Sequence, residues 1–233
     1  SRIETALLSA GFEQGNVRNG KFTPASRAEI LTARMNRGET VPFIKRVNLP
    51  FMEYMEVDIN FSLDFKAKQE SKTVDALLRN SQPLIVTENN GLHTLSPVDF
   101  FIHLCCHLYK EASVYAWVEM ERDLSLYKFM DIYLLINKWK TLEFYKELYE
   151  RILQYELNHE CYYALLYTKK LFEIENDALN KLLVEICPGD TGYLSQVIRP
   201  DKSKIYRYDK DFTDWLFTSG RKEHLYENGN EKT

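Results

Sequence analysis

Apolar and polar residues alternate most cleanly between Met55 and Asp64. Met55, Val57, Ile59, Phe61 and Leu63 fall on one side, and Glu56, Asp58, Asn60, Ser62 and Asp64 on the other. A period of two predicts a strand with one buried face. Thr40–Val47 is the other strong strand candidate, and Asn48-Leu49-Pro50 separates the two. An antiparallel pair joined by a loop is expected there, with Pro42 near a strand start or on an edge. Before these strands, Ile3, Ala6, Leu7 and Ala10 recur at helical spacing and Gly11 is a natural stop. The following stretch to Gly20 reads as turn-rich, and a short polar helix is expected around Ala28–Met35. Asp75–Arg79 reads as a helical turn and Leu84–Thr87 as a short strand, followed by a turn at Asn89-Asn90-Gly91.

From Leu95 onward the period changes to 3.6. Ser96-Pro97 with Asp99 is a helix start, with Ser96 as N-cap, Pro97 at the first helical position and Asp99 completing a capping box. Helices are predicted to Ala112, from Trp117 or Arg122 to Asn137, and over 142–157, 160–172 and 177–186. Pro188-Gly189-Asp190 ends the last of them. Beyond it, Tyr193–Ile198 could be extended, Phe212–Phe217 is an aromatic cluster around Trp215, and Asn228–Thr233 reads as a frayed polar end. The pattern predicts an α+β chain: a small mixed or antiparallel sheet followed by a helical domain. The expected divisions are residues 1–92 as the α/β region, 93–190 as a helical bundle, and 191–233 as an irregular extension packed on the helices.

Composition changes this picture little. Hydrophobic residues make up 45% and charged residues 27%, with a net charge of −4, values ordinary for a globular protein. Without a basic block, broad binding to nucleic acid is not favoured. No apolar run reaches transmembrane length, so no membrane partner is expected. Cys105, Cys106, Cys161 and Cys187 include no Cys-x-x-Cys pair. They read as core residues in a reducing, cytoplasmic setting.

Three of the five polar residues on the Met55–Asp64 stretch are acidic. Like charges on one strand face repel, so that face meets either water and cations or a bound metal. On the 97–112 helix, Asp99, His103, His107 and Lys110 share a stripe. Three readings fit that stripe: a polar helix face, a zinc pair, or a site where His107 and Lys110 reach an anion. Leu104 follows His103, so the protease form of a His-x-x-x-His zinc helix is absent. On the next helix Asp131 interrupts an apolar stripe of Leu124, Tyr127 and Leu134. A half-buried carboxylate requires a partner, and Lys128, Arg122 or Lys110 could supply it; an interhelix ion pair and a substrate contact are both open. No phosphate-binding glycine loop, nucleophile elbow or activated thiol is evident.

Gly11-Phe12, the Met55–Asp64 strand, Leu95-Ser96-Pro97, His107-Leu108-Tyr109-Lys110-Glu111-Ala112 and Tyr127-Lys128-Phe129-Met130-Asp131-Ile132 occur in a telling order. Over residues 1–140 that order resembles the bacterial family of uncharacterised nucleotidyltransferases, within the polymerase-beta-type superfamily. The resemblance implies a mixed sheet bearing three metal-binding carboxylates, Mg²⁺ as cofactor, an NTP as substrate and an unknown acceptor. Asp58 matches the third carboxylate and is the implied metal ligand and catalytic residue. His107, Lys110 and Asp131 are the implied nucleotide- and phosphate-binding residues. The family's early Asp-x-Asp pair is absent, and residues 2–11 resemble the helix that follows it. The expectation is therefore a nucleotidyltransferase lacking its N-terminal part, inactive alone and completed by a missing segment. The alternative is an inactive binding module, a homodimer or a subunit of a partner chain.

Overall fold

The computed structural model describes residues 2–63, 72–88, 90–199 and 203–227. Asp64, Asn89 and Asn228–Thr233, all read above from sequence, lie outside them. The chain forms two compact units, Ser1–Ser71 and Lys72–Thr233. The architecture is α+β, with small antiparallel sheets and a helical second unit.

The first unit opens with α1 (Arg2–Ser9), followed by β1 (Glu13–Arg18) and β2 (Lys21–Pro24). These strands form a hairpin through Asn19-Gly20, both at positive φ (50° and 72°). An Asn-Gly pair accepts that backbone at little cost and matches the twist of the flanking strands. Next comes α2 (Arg27–Thr32), capped by Ser26 and Glu29 in a reciprocal box and extended by a π turn over Ala33–Arg37. Strands β3 (Phe43–Leu49) and β4 (Met52–Val57) complete an antiparallel sheet of order β2-β1-β3-β4.

The strand read at Met55–Asp64 begins earlier and ends earlier. A two-residue turn, Pro50-Phe51, replaces the longer loop, and Leu49 remains in the ladder opposite Met52. β1 pairs with β3 only at Glu13–Gln14, so the turn end of β3–β4 is a two-stranded ribbon. Among the described residues no third strand pairs there, and Met55 stays exposed although its period places it with the apolar set. Past Val57 the chain runs on beside residues 38–40: Ile59 carbonyl accepts from Thr40 N–H, and Phe61 N–H donates to Gly38 carbonyl. Gly38 sits at φ 64°, and a Cβ there would come within 2.4 Å of the Ser62 Cβ. Ser62 is consequently buried, against its polar place in the alternation.

The second unit begins with α3 (Lys72–Arg79) and the hairpin β5 (Gln82–Thr87) and β6 (Asn90–Thr94). Its core is α4 (Pro97–Ser113), surrounded by α6 (Leu126–Lys138), α7 (Leu142–Tyr155) and α8 (Asn158–Phe172), with α5 (Tyr115–Glu119) between α4 and α6. Phe101, Ile102, Cys105 and Leu108 are fully buried on α4, as are Leu148, Ile152, Cys161 and Leu165 on the α7 and α8 helices that pack against it. α9 (Asp177–Ile186) packs on α7 and α8. The chain ends with a three-stranded sheet of β7 (Gln196–Ile198), β8 (Ile205–Arg207) and β9 (Tyr226–Glu227), interrupted by α10 (Phe212–Phe217). Aromatic rings tie this segment down: Phe212 stacks on Tyr167 at 3.5 Å and meets Phe129 edge-on at 5.6 Å, while Trp215 stacks on Tyr208 at 4.2 Å. No helix among the described residues is long and apolar enough to cross a membrane.

Candidate functional site

The polar stripe of α4 divides along its length. At its start the Ser96 hydroxyl accepts from Asp99 N–H at 3.2 Å. The other half of the expected capping box is missing, because the Asp99 carboxylate turns into the bundle. There its Oδ1 accepts from the Tyr155 hydroxyl at 3.1 Å, with Arg151 Nη1 at 3.7 Å, while Asn80 and Arg151 both donate to the same Tyr155 oxygen. One turn on, burial and the nearby His107 and Lys110 lower the pKa of the His103 imidazole. A ring withdrawn from water resists protonation, and the neighbouring Lys110 charge reinforces that. Lys110 is buried as well. His107, whose side chain is 48% exposed, is the open end of the stripe.

His107 lines a cavity of about 70 Å³ between α4 and α6, together with Leu104, Leu108, Tyr127, Lys128 and Asp131. Thus two of the sequence-proposed residues, His107 and Asp131, meet at one cavity, and Lys110 does not line it. Asp131 is exposed, because Tyr127 and Leu134 beside it on α6 are themselves exposed and that stripe is not a core face. The residue that sequence reasoning passed over as a site group is Lys128. It ion-pairs with buried Glu111, and its Nζ also donates to the Asp123 carbonyl at 3.3 Å. The same Glu111 Oε2 lies 3.5 Å from His107 Nε2. The i,i+4 spacing of His107 and Glu111 was a visible signal for that pair.

Behind Lys128, the Asp123 carboxylate is fully buried and accepts from Arg221 Nε at 2.8 Å and Nη2 at 2.6 Å. Arg221 Nη1 also donates to the Leu216 and Thr218 carbonyls at 3.1 and 2.9 Å. A planar guanidinium suits this two-sided role, since its five donors lie in a fixed fork. A continuous polar chain therefore runs Arg221–Asp123–Lys128–Glu111–His107. Its first link joins residues 98 apart in sequence.

Asp58 belongs to the first unit, one residue beyond β4, with its side chain exposed. Glu56 is exposed beside it on the strand. Among the described residues no three of His, Cys, Asp and Glu come together to hold a metal ion. A two-ion centre needs several convergent carboxylates, so the described residues alone do not form one. Cys105, Cys106 and Cys161 are buried thiols at the α4–α8 contact, where the Cys105 thiol and burial push Cys161 well up against an opposing effect of Cys106. They are poor nucleophiles in that setting.

Residues 1–173 match the profile of a family described as uncharacterised nucleotidyltransferase. The chain belongs to that family. No curated protein and no solved structure matches it. The nucleotidyltransferase match implies a nucleotide as substrate, and it contains Asp58, His107, Lys110, Glu111, Lys128 and Asp131. It ends one residue beyond α8 and leaves Arg221 outside. Divalent metal use is general in nucleotidyltransferases, and Asp58 has the donor chemistry and exposure to contribute one oxygen to such an ion.

Proposed function

We propose that this nucleotidyltransferase-family chain takes part in transfer of a nucleoside monophosphate from an NTP to an acceptor molecule, with Mg²⁺ as the cofactor. Asp58 contributes a carboxylate to the metal. His107, Lys110 and Asp131 contribute to the nucleotide site, Lys110 through buried positive charge and the other two at its open edge, where the acceptor oxygen meets the α-phosphate. The observation that carries this reading is the family match, which spans both units and includes all four residues. Nucleotidyl transfer depends on charge neutralisation and positioning more than on covalent chemistry by the protein. A basic residue below the surface and an acid on an exposed strand end are groups of the right kind for those two tasks.

The test is titration calorimetry of each NTP with Mg²⁺ against wild type and Asp58→Ala. The expected result is binding to wild type that weakens about tenfold in the variant, since one lost charged contact is worth about 1.4 kcal/mol or more. Equal affinity in both proteins refutes the role of Asp58.

A second reading is a binding or interaction module derived from the same fold, acting as a homodimer or on a partner chain. Under this reading wild type gives no heat with any NTP, and light scattering reports a dimer.

A further inference from the structure

We propose that His107 is the proton acceptor of the α4–α6 cavity, oriented by Glu111 and serving a hydroxyl group of the bound ligand. Three observations carry this. The first is orientation. Glu111 Oε2 stands 3.5 Å from His107 Nε2, and a carboxylate on that side favours the proton on Nε2, with the Nδ1 lone pair as acceptor. No protein group is placed on Nδ1 among the described residues, and the ring lines the cavity. Glu111 itself cannot drift, because Lys128 reaches it from α6 and is anchored in turn on the Asp123 carbonyl. An imidazole held by a fixed carboxylate is the arrangement that activates hydroxyls in unrelated enzymes.

The second observation is size. The cavity of about 70 Å³ is far below the range of about 300–1,000 Å³ typical of whole-ligand pockets. It admits one functional group of a larger molecule. The third is charge. Of the three Lys128 protons, Glu111 and the Asp123 carbonyl take two, and the Asp131 carboxylate lines the same cavity. Asp131 and His107 Nδ1 both seek a donor, and the remaining Lys128 proton seeks a lone pair. A hydroxyl supplies both, whereas a phosphate meets the Asp131 charge. Leu104 and Leu108 provide apolar wall for the carbon that bears it.

The identity of the hydroxyl rests on the nucleotidyl-transfer reading: it is that of the acceptor. Its O–H bond breaks, the proton joins His107 Nδ1 and the electron pair stays on oxygen. That oxygen bonds to the α-phosphorus of the NTP as the bond to the bridging oxygen breaks, and pyrophosphate leaves. The ring, now an imidazolium, keeps its Nε2–H toward Glu111.

The experiment is long-range ¹H–¹⁵N correlation of the imidazoles in full-length protein, above the ordinary histidine titration range. Glycerol serves as hydroxyl probe and inorganic phosphate as anion probe. The expected result for His107 is the Nε2–H tautomer alone, with Nδ1 shifting on addition of glycerol and not of phosphate. In Glu111→Gln the second tautomer appears. Both tautomers in wild type, or a response to phosphate alone, overturn the proposal without recourse to any variant. Calorimetry with NTP keeps the two readings apart. A single tautomer with the glycerol response but no NTP binding removes the nucleotidyl-transfer reading and keeps the dyad. NTP binding with mixed tautomers removes the dyad alone.

Discussion

The buried pair of Asp123 and Arg221 sets a measurable energy. Replacing Arg221 by Met keeps much of the side-chain volume and removes every donor. Both Asp123 oxygens lose their partners at 2.6 and 2.8 Å, and the Leu216 and Thr218 carbonyls lose theirs. The Asp123 side chain has no exposure and that of Arg221 only 11%, so water cannot compensate without local opening. Two unit charges about 4 Å apart at an effective dielectric of about 20 attract by about 4 kcal/mol. That falls inside the loss of about 3–5 kcal/mol typical when one member of a buried pair is removed. The second unit contains all three tryptophans, Trp117, Trp139 and Trp215. Urea unfolding followed by tryptophan fluorescence therefore reports this unit alone. The expected Arg221→Met loss is about 4 kcal/mol, or about 10 °C in melting temperature for a unit of this size. Pairing it with Asp123→Leu should restore most of the stability, to within about 2 kcal/mol of wild type, because no uncompensated charge remains. A single-variant loss below about 1 kcal/mol, or a double variant as unstable as the sum of the two singles, refutes the assignment of energy to this pair.

Two further outcomes follow from local features. Phe51 is fully exposed at φ 64° in the β3–β4 turn, a backbone that costs a non-glycine residue about 1 kcal/mol or more. Phe51→Gly is expected to slow hydrogen exchange of the β3–β4 amides, and faster exchange would show that the turn is not strained. Burial pushes the phenols of Tyr145 and Tyr167 up to about 12. An unfolded phenol ionises near pH 10, so the unfolded chain binds fewer protons between about pH 10 and 12. Their contribution is complete below about pH 10 and lost as pH rises toward 12. Urea midpoints that fall from about pH 9 to pH 11, together with delayed phenolate absorbance, check this; a flat midpoint contradicts it.

The helical bundle could be read from the chain because its signals are local. Ser96-Pro97 starts α4 where expected, and the 3.6 periodicity recovers α7, α8 and α9 within a few residues. The β1–β2 hairpin carried an equally local signal in Asn19-Gly20, but Gly15 and Asn16 within β1 resemble more turn sequence. β4 was misplaced because its alternation continues past Val57, where pairing passes to residues 38–40 without a regular strand. At the candidate site, His107 and Asp131 stood out as polar groups on helix faces. Their relation to Lys128 and Glu111 depends on how α4 meets α6, and no spacing within either helix encodes that. The Arg221–Asp123 link is more remote still: neither residue lies in a motif, and only the folded chain joins them.

The family profile stops at residue 173, yet the folded structure has no seam there. A shortened protein ending at that residue would expose Tyr167 and Phe129, strip Asp123 of its counter-ion and loosen the support of Lys128. What sequence similarity marks off as one heritable piece is thus smaller than what must fold together. In this chain the described residues among the sixty beyond the profile act less as an appendage than as the last wall of the bundle. Their absence from a recombinant product would first be felt as insolubility.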